Sequence, residues 1–173
     1  MNNINVDVEL IKADHSKKDF LWNILQKYLY ELSAYYGNKM DDKGNFPYKY
    51  FNAYFENEPG REAFLFSSGG EIIGYPLINR HSADGNKTDY FLGEFTVFPL
   101  YRKSGLSKNA ADTLFKNRKG KWQLKYSKNN LPAMKFWNKI LETYNPIKRE
   151  VENSEILINC YEVTLVKCQN WIH

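Results

Sequence analysis

The stretch from Glu94 to Phe115 restricts the fold more than any other part of this chain. A β-like run, Glu94-Phe95-Thr96-Val97, leads within a few residues to the turn Arg102-Lys103-Ser104-Gly105-Leu106-Ser107. A helical pattern follows in which Leu106, Ala110, Ala111, Leu114 and Phe115 share one face. Strand, short turn and helix recur throughout α/β proteins, and the small alanines let the helix lie close to a sheet. A helix start presents unpaired backbone N–H groups and the positive end of the peptide dipoles, so a phosphate can sit there without a dedicated side chain. Gly105 lets the backbone come close to such a ligand.

The rest of the chain supplies elements around this segment. Val6 to Ile11 alternates as a first strand, and Ser16-Lys17-Lys18-Asp19 opens a helix whose apolar face is Phe20, Leu21, Ile24, Leu25, Tyr28, Leu29 and Leu32, with Gly37 as its stop. Asn38 to Asn45 reads as a loop and Pro47 to Phe55 as a short aromatic helix. Ala63-Phe64-Leu65-Phe66 and Glu71 to Ile78 flank Ser67-Ser68-Gly69-Gly70 as a hairpin, in which Pro76 calls for a bulge, an edge or an early strand end. Tyr90 to Phe98 is the next strand. After Gly120 come a strand at Trp122 to Tyr126, a helix from Leu131 to Leu141, and two strands at Ile147 to Val151 and Ile156 to Val166.

With 173 residues, 43% hydrophobic and 25% charged, the chain is expected to form a single domain over residues 1–173. No apolar run approaches the roughly 20 residues that span a bilayer, and Met1 to Asn5 lacks a signal segment, so a cytoplasmic location is expected and a membrane partner is not. Cys160 and Cys168 have no metal-ligand spacing and read as free thiols; no metal site is expected. The formal charge of +4 is uneven. Arg102 to Lys128 holds nine basic residues and one acidic residue, a local +8 that attracts polyanions.

Two motifs carry a resemblance. Val97-Phe98-Pro99-Leu100-Tyr101-Arg102-Lys103-Ser104-Gly105-Leu106-Ser107 resembles the acetyl-CoA signature of the GNAT acetyltransferase superfamily, V-x-P-x-Y-R leading into [Q/R]-x-x-G-x-[G/A]. Asn130-Leu131-Pro132-Ala133-Met134-Lys135-Phe136-Trp137 resembles the N-x-x-A-x-x-[F/L]-[Y/W] helix that follows it in order. The match spans residues 90–141, with Ser107 in place of the usual Gly or Ala and Trp137 where many members carry tyrosine. The resemblance implies an α/β (α+β) fold with a mixed, mostly antiparallel central sheet of about seven strands flanked by about four helices.

It also implies acetyl-CoA (coenzyme A) as cofactor and transfer of its acetyl group to an amine, either a small molecule or a peptide. The backbone from Arg102 through Lys103, Ser104, Gly105 and Leu106 to Ser107 would cradle the diphosphate, with Arg102 and Lys103 adding charge. The pantetheine arm would lie along Phe95, Thr96 and Val97, with a backbone N–H near Val97 or Phe98 facing the acetyl oxygen. Asn130 would contact the arm or cap its helix. Glu94 is the candidate proton acceptor, with Asp89 and then His81 in reserve. Trp137 cannot donate a proton to the leaving sulfur, which leaves Tyr126 or Tyr144 as donors, or none. Tyr28, Tyr35, Tyr36, Phe46, Tyr48, Tyr50 and Tyr54 near Asp41 and Asp42 would suit a cationic amine. Two other readings stay open: a catalytically silent acetyl-CoA-binding module, and a nucleic-acid-binding domain that explains the charge but not the ordered motifs. A homodimer is an open expectation.

Overall fold

The computed structural model describes residues 7–153 and 156–165, with side chains as far as Val151. Val6, Val166 and Cys168 lie outside the described residues, as does the Cys160 side chain. One sheet holds seven strands: β1 (Glu9–Lys12), β2 (Glu62–Ser68), β3 (Glu71–Asn79), β4 (Tyr90–Val97), β5 (Gly120–Ser127), β6 (Ile147–Asn153) and β7 (Ile156–Leu165). Their spatial order is β1-β2-β3-β4-β5-β7-β6, antiparallel throughout except for the β4–β5 pair. Parallel neighbours need a crossover, here the helix α2 (Leu106–Asn117). The other α-helices are α1 (Lys18–Tyr36) and α3 (Leu131–Leu141).

Among the described residues three α-helices stand where about four were expected. Pro47 to Phe55 forms turns and one short 3₁₀ segment, Asn52–Tyr54, because its aromatic residues gain more from entering the core than from a regular helix. Helix α1 is preceded by another 3₁₀ turn, His15–Lys17, capped by the Asp14 carboxylate accepting from the Ser16 N–H at 2.9 Å, so the chain turns one step earlier than Ser16 suggests. Gly37 ends α1 in the left-handed conformation (φ 67°), its N–H bonded to the Ser33 carbonyl.

Strand alternation sends neighbouring residues to two cores. Phe66, Ile73, Leu92 and Val97 face α2 and α3 and pack with Leu114, Phe115, Trp122, Trp137 and Leu141. Leu65, Tyr75 and Leu77 face α1 and pack with Leu21, Leu25, Leu29, Phe51 and Tyr54. Each fully buried large side chain contributes about 1.5–3 kcal/mol. Pro76 sits inside β3, and the β2–β3 pairing runs through Ala63↔Leu77 and Phe66↔Gly74 while skipping the two residues between. Gly74 is needed where β3 meets β4, since a side chain there would run into the Thr96 carbonyl.

Two features of β4 shape the functional region. Pairing with β3 passes from Leu77↔Glu94 to Ile78↔Leu92, which leaves Gly93 as an extra residue, a β-bulge. Pairing with β5 covers Tyr90↔Trp122, Phe91↔Gln123 and Leu92↔Leu124 and stops at the same level. Beyond it β4 runs on to Val97 and β5 to Ser127, so the two strands splay into a V open toward their C-terminal ends. The closed end is held by the β3–β4 loop: the Asp84 carboxylate accepts from Gln123 on β5 at 2.8 Å and from Arg149 on β6 at 2.9 Å.

Candidate active site

The V has two backbone edges. The Phe98 N–H donates to the Ile73 carbonyl at 2.8 Å, so the even positions of this end of β4 serve β3, and Phe95 and Val97 turn their backbone to the cleft. Of the two acetyl-facing amides expected, Phe98 is therefore committed to the sheet and Val97 remains. On β5, Lys121 bonds Asp89 through both its N–H and its carbonyl, and the register to β7 is unbroken, so Ser127, six residues on, also faces the cleft. The Thr96 backbone is paired with Tyr75, and its side chain lies on the α1 face. The Phe95 ring packs between Phe66, Phe136 and Trp137, tying α3 to the strand.

Glu94 follows the bulge at Gly93 and points to the α1 face. The Tyr48 hydroxyl donates to its Oε1 at 3.0 Å, and the Tyr28 hydroxyl stands beside the same carboxylate and the Phe95 N–H. Tyr48 is placed there by Gln26 of α1, whose amide bonds both the N–H and the carbonyl of Phe46 (2.7 and 3.1 Å). Burial pushes the Glu94 carboxyl up from 4.5 to about 7, against the opposing pull of the two hydroxyls and the Lys125 ammonium. The Tyr75 hydroxyl, buried on the same face, has no partner among the described residues. The chemistry available is that of a carboxylate able to take or release a proton near neutrality.

The loop after β4 has the shape an anion needs. Lys103 and Gly105 both adopt positive φ (68° and 87°), and Gly105 leads directly into α2 with no side chain capping the helix start. The first-turn N–H groups of Leu106, Ser107 and Lys108 thus point out of the helix without an intrahelical partner. The Leu106 side chain is buried and anchors the turn, and the Ser104 hydroxyl donates to the Tyr101 carbonyl at 2.7 Å. Nothing lies within 4 Å of where a Gly105 Cβ would be, so the approach to its backbone is open. Arg102 behaves differently from expectation at its side chain. Its guanidinium turns back to the Val97 carbonyl (2.7 Å) and to Glu31 of α1 (3.0 Å), which assigns its charge to the end of β4 and leaves Lys103 as the basic side chain of the turn.

Asn130 caps α3, its Oδ1 accepting from the Ala133 N–H at 3.2 Å, while its own N–H holds the Ser127 carbonyl. Trp137 is buried among Phe95, Phe115 and Phe136. Tyr126 lies in the core under α2 and α3, and the Tyr144 hydroxyl donates to Asp112. Asp89 is used by the Lys121 N–H, and the His81 ring packs on Phe91 at the closed end of the V, so neither stands with Glu94. Of the aromatic residues expected to gather near Asp41 and Asp42, Tyr28, Tyr36, Tyr48 and Tyr54 surround Glu94 instead. Phe46 is core, Tyr50 is at the surface against Lys49 and Arg61, and Asp41 accepts from Lys43 and Asn45 of its own loop.

A cavity of about 580 Å³ opens beside this region, between α1 and the ends of β3 and β4; Phe20, Ile24, Ile72 and Phe98 supply its apolar wall, and Tyr28 and Thr96 join it to the surroundings of Glu94. The basic run is partly spent on ion pairs: Arg102 with Glu31, Lys108 with Asp112, Arg118 with Glu62 and Lys128 with Glu150. The residues present fit a coenzyme A thioester. The cleft-facing Phe95 carbonyl and Val97 N–H suit an extended amide-bearing arm, and the uncapped turn at Gly105 suits a diphosphate.

No protein-family model and no curated protein matches the chain. Solved structures match over nearly its whole length. An acetyltransferase from Thermus thermophilus is 16% identical with a TM-score of 0.65, covering 92% of this chain and 98% of that one. The aminoglycoside acetyltransferase AAC(6')-Ib in complex with coenzyme A is 13% identical with a TM-score of 0.67, covering 91% and 95%. The ribosomal-protein-S18-alanine N-acetyltransferase from Escherichia coli is 11% identical with a TM-score of 0.56, covering 96% and 99%. The fold is that of the GNAT acetyltransferases.

Proposed function

We propose that this chain of GNAT fold is an acetyl-CoA-dependent N-acetyltransferase acting on an amine. The observation that carries the reading is Glu94: a carboxyl held near neutrality, placed by a bulge at the level where β4 and β5 part. When bound, the thioester supplies the activated acetyl group. The Phe95 carbonyl and the Val97 N–H hold and orient the arm, and the turn from Lys103 to Ser107 with the first N–H groups of α2 neutralises the diphosphate. The Val97 N–H offers a donor where negative charge develops on the acetyl oxygen.

Glu94 takes the proton from the attacking amine at its carboxylate, with the Tyr28 and Tyr48 hydroxyls keeping it oriented. The acceptor approaches on the α1 face, where the cavity beside Tyr28 and Thr96 gives it room. Asn130 secures the start of α3 and so the position of Phe95 through Phe136 and Trp137.

Thiol release from acetyl-CoA with a panel of amines tests this. The wild type should show a rate that rises with pH through about 7 as Glu94 ionises. Glu94→Gln should lose about 10²-fold or more and that acid limb, with coenzyme A binding unchanged. Binding without turnover on any amine would favour the silent binding module. Tight binding of mixed-sequence RNA indifferent to acetyl-CoA would favour the nucleic-acid reading.

A further inference from the structure

The proposed reaction leaves the departing sulfur without a partner, because the helix position that resembles the family's tyrosine is a buried tryptophan, Trp137. The two tyrosines the sequence offered are engaged elsewhere: Tyr144 with Asp112, and Tyr126 in the core under α2 and α3. A third hydroxyl reaches the cleft from the opposite side of the molecule. Tyr36, in the last turn of α1, accepts the Ser127 N–H at 2.9 Å. That N–H lies on the β5 edge facing β4, beyond the last β4–β5 pair, so the Tyr36 hydroxyl sits at the open V opposite Phe95 and Val97.

A hydroxyl that accepts a backbone N–H still has its own proton to give, and the Tyr36 proton has no acceptor among the described residues. We infer that Tyr36 is a catalytic residue of the proposed transfer, donating a hydrogen bond to the sulfur of coenzyme A as the thiolate departs. The inference rests on the acetyltransferase reading. The amine nitrogen forms its bond to the acetyl carbon and its proton passes to Glu94. The carbon–sulfur bond breaks with its pair going to sulfur, and the thiolate takes a proton from solvent while Glu94 returns one to it. Tyr36 keeps its own proton, because burial, and then the nearby Glu94, hold its hydroxyl above 10 despite the Ser127 N–H, whereas an ordinary thiol titrates near 8.5. Its role is to lower the energy of the sulfur anion, which makes it different in kind from a proton donor.

The test is the titration of the coenzyme A thiol bound to the wild type and to Tyr36→Phe, read by the ultraviolet absorbance of the thiolate. The expected result is a bound thiol about ten-fold more acidic in the wild type than in Tyr36→Phe, as one hydrogen bond to a charged group provides. In turnover, Tyr36→Phe should be about 10- to 100-fold slower with acetyl-CoA, and the deficit should shrink with an acetyl thioester of a more acidic thiol. A purely structural Tyr36 would move the melting temperature and leave both readouts unchanged. Equal thiol titration in two proteins that both bind coenzyme A would overturn the inference alone. Binding by neither would overturn the acetyltransferase reading and the inference with it.

Discussion

Glu94 and Lys103 are the two residues whose local physics is most specific. A folded carboxyl raised from 4.5 to about 7 contributes its full stability below 4.5, and that contribution is lost as the pH rises through about 7. Glu94→Gln removes the ionisation. Its stability relative to the wild type should therefore increase between pH 5 and pH 8, by up to about 3 kcal/mol, measured as urea unfolding free energies at the two pH values. A difference independent of pH would show that the carboxyl is not held up by burial. Lys103 occupies the left-handed region at φ 68°, which costs a non-glycine residue about 1–2 kcal/mol. Lys103→Gly should stabilise the fold by about 1 kcal/mol and Lys103→Val should destabilise it, both read from the same unfolding curves. The turn was legible in the sequence from Gly105, but the strained Lys103 was not, since its φ is imposed by the step from the Pro99–Tyr101 turn into α2.

At the scale of elements, the strand and helix sequence was readable from periodicity, and α3 from Leu131 to Leu141 matches its expected bounds. The cleft itself was not readable, because it depends on where two ladders stop, a property of pairing between residues some 30 positions apart. The available signal was Gly93, an isolated glycine inside a strand pattern, which marks a bulge. The partners of Glu94 were equally non-local: Tyr48 lies 46 residues away in the chain. The distance between β3 and β4 is set by Gly74, where a methyl group would meet the Thr96 carbonyl, a backbone atom that cannot move alone. Gly74→Ala should cost about 2–4 kcal/mol and weaken coenzyme A binding by displacing β4. An unfolding midpoint and a coenzyme A affinity both close to wild type would show that β4 is free to shift.

As a whole molecule, the chain places the two halves of the proposed reaction on either side of one splayed pair of strands. In the proposed transfer the uncapped turn and the cleft-facing backbone serve the acyl donor, and Glu94 with its tyrosines serves the acceptor from the α1 face. No helix of the described residues is long and apolar enough to cross a membrane. The ordered pair of motifs was sufficient to indicate this fold, whereas the side chains around Glu94 come from α1 and the loop after it, where the sequence offered no motif to read. In the proposed function the V between β4 and β5, with the turn at Gly105, binds a diphosphate-linked thioester. Thermal unfolding with and without coenzyme A tests it most directly, since a ligand confined to the folded state raises the midpoint, by the equivalent of about 2.7 kcal/mol at a hundred times its dissociation constant. Coenzyme A should give such a rise, and coenzyme A lacking its diphosphate a much smaller one. No rise at millimolar coenzyme A would contradict it.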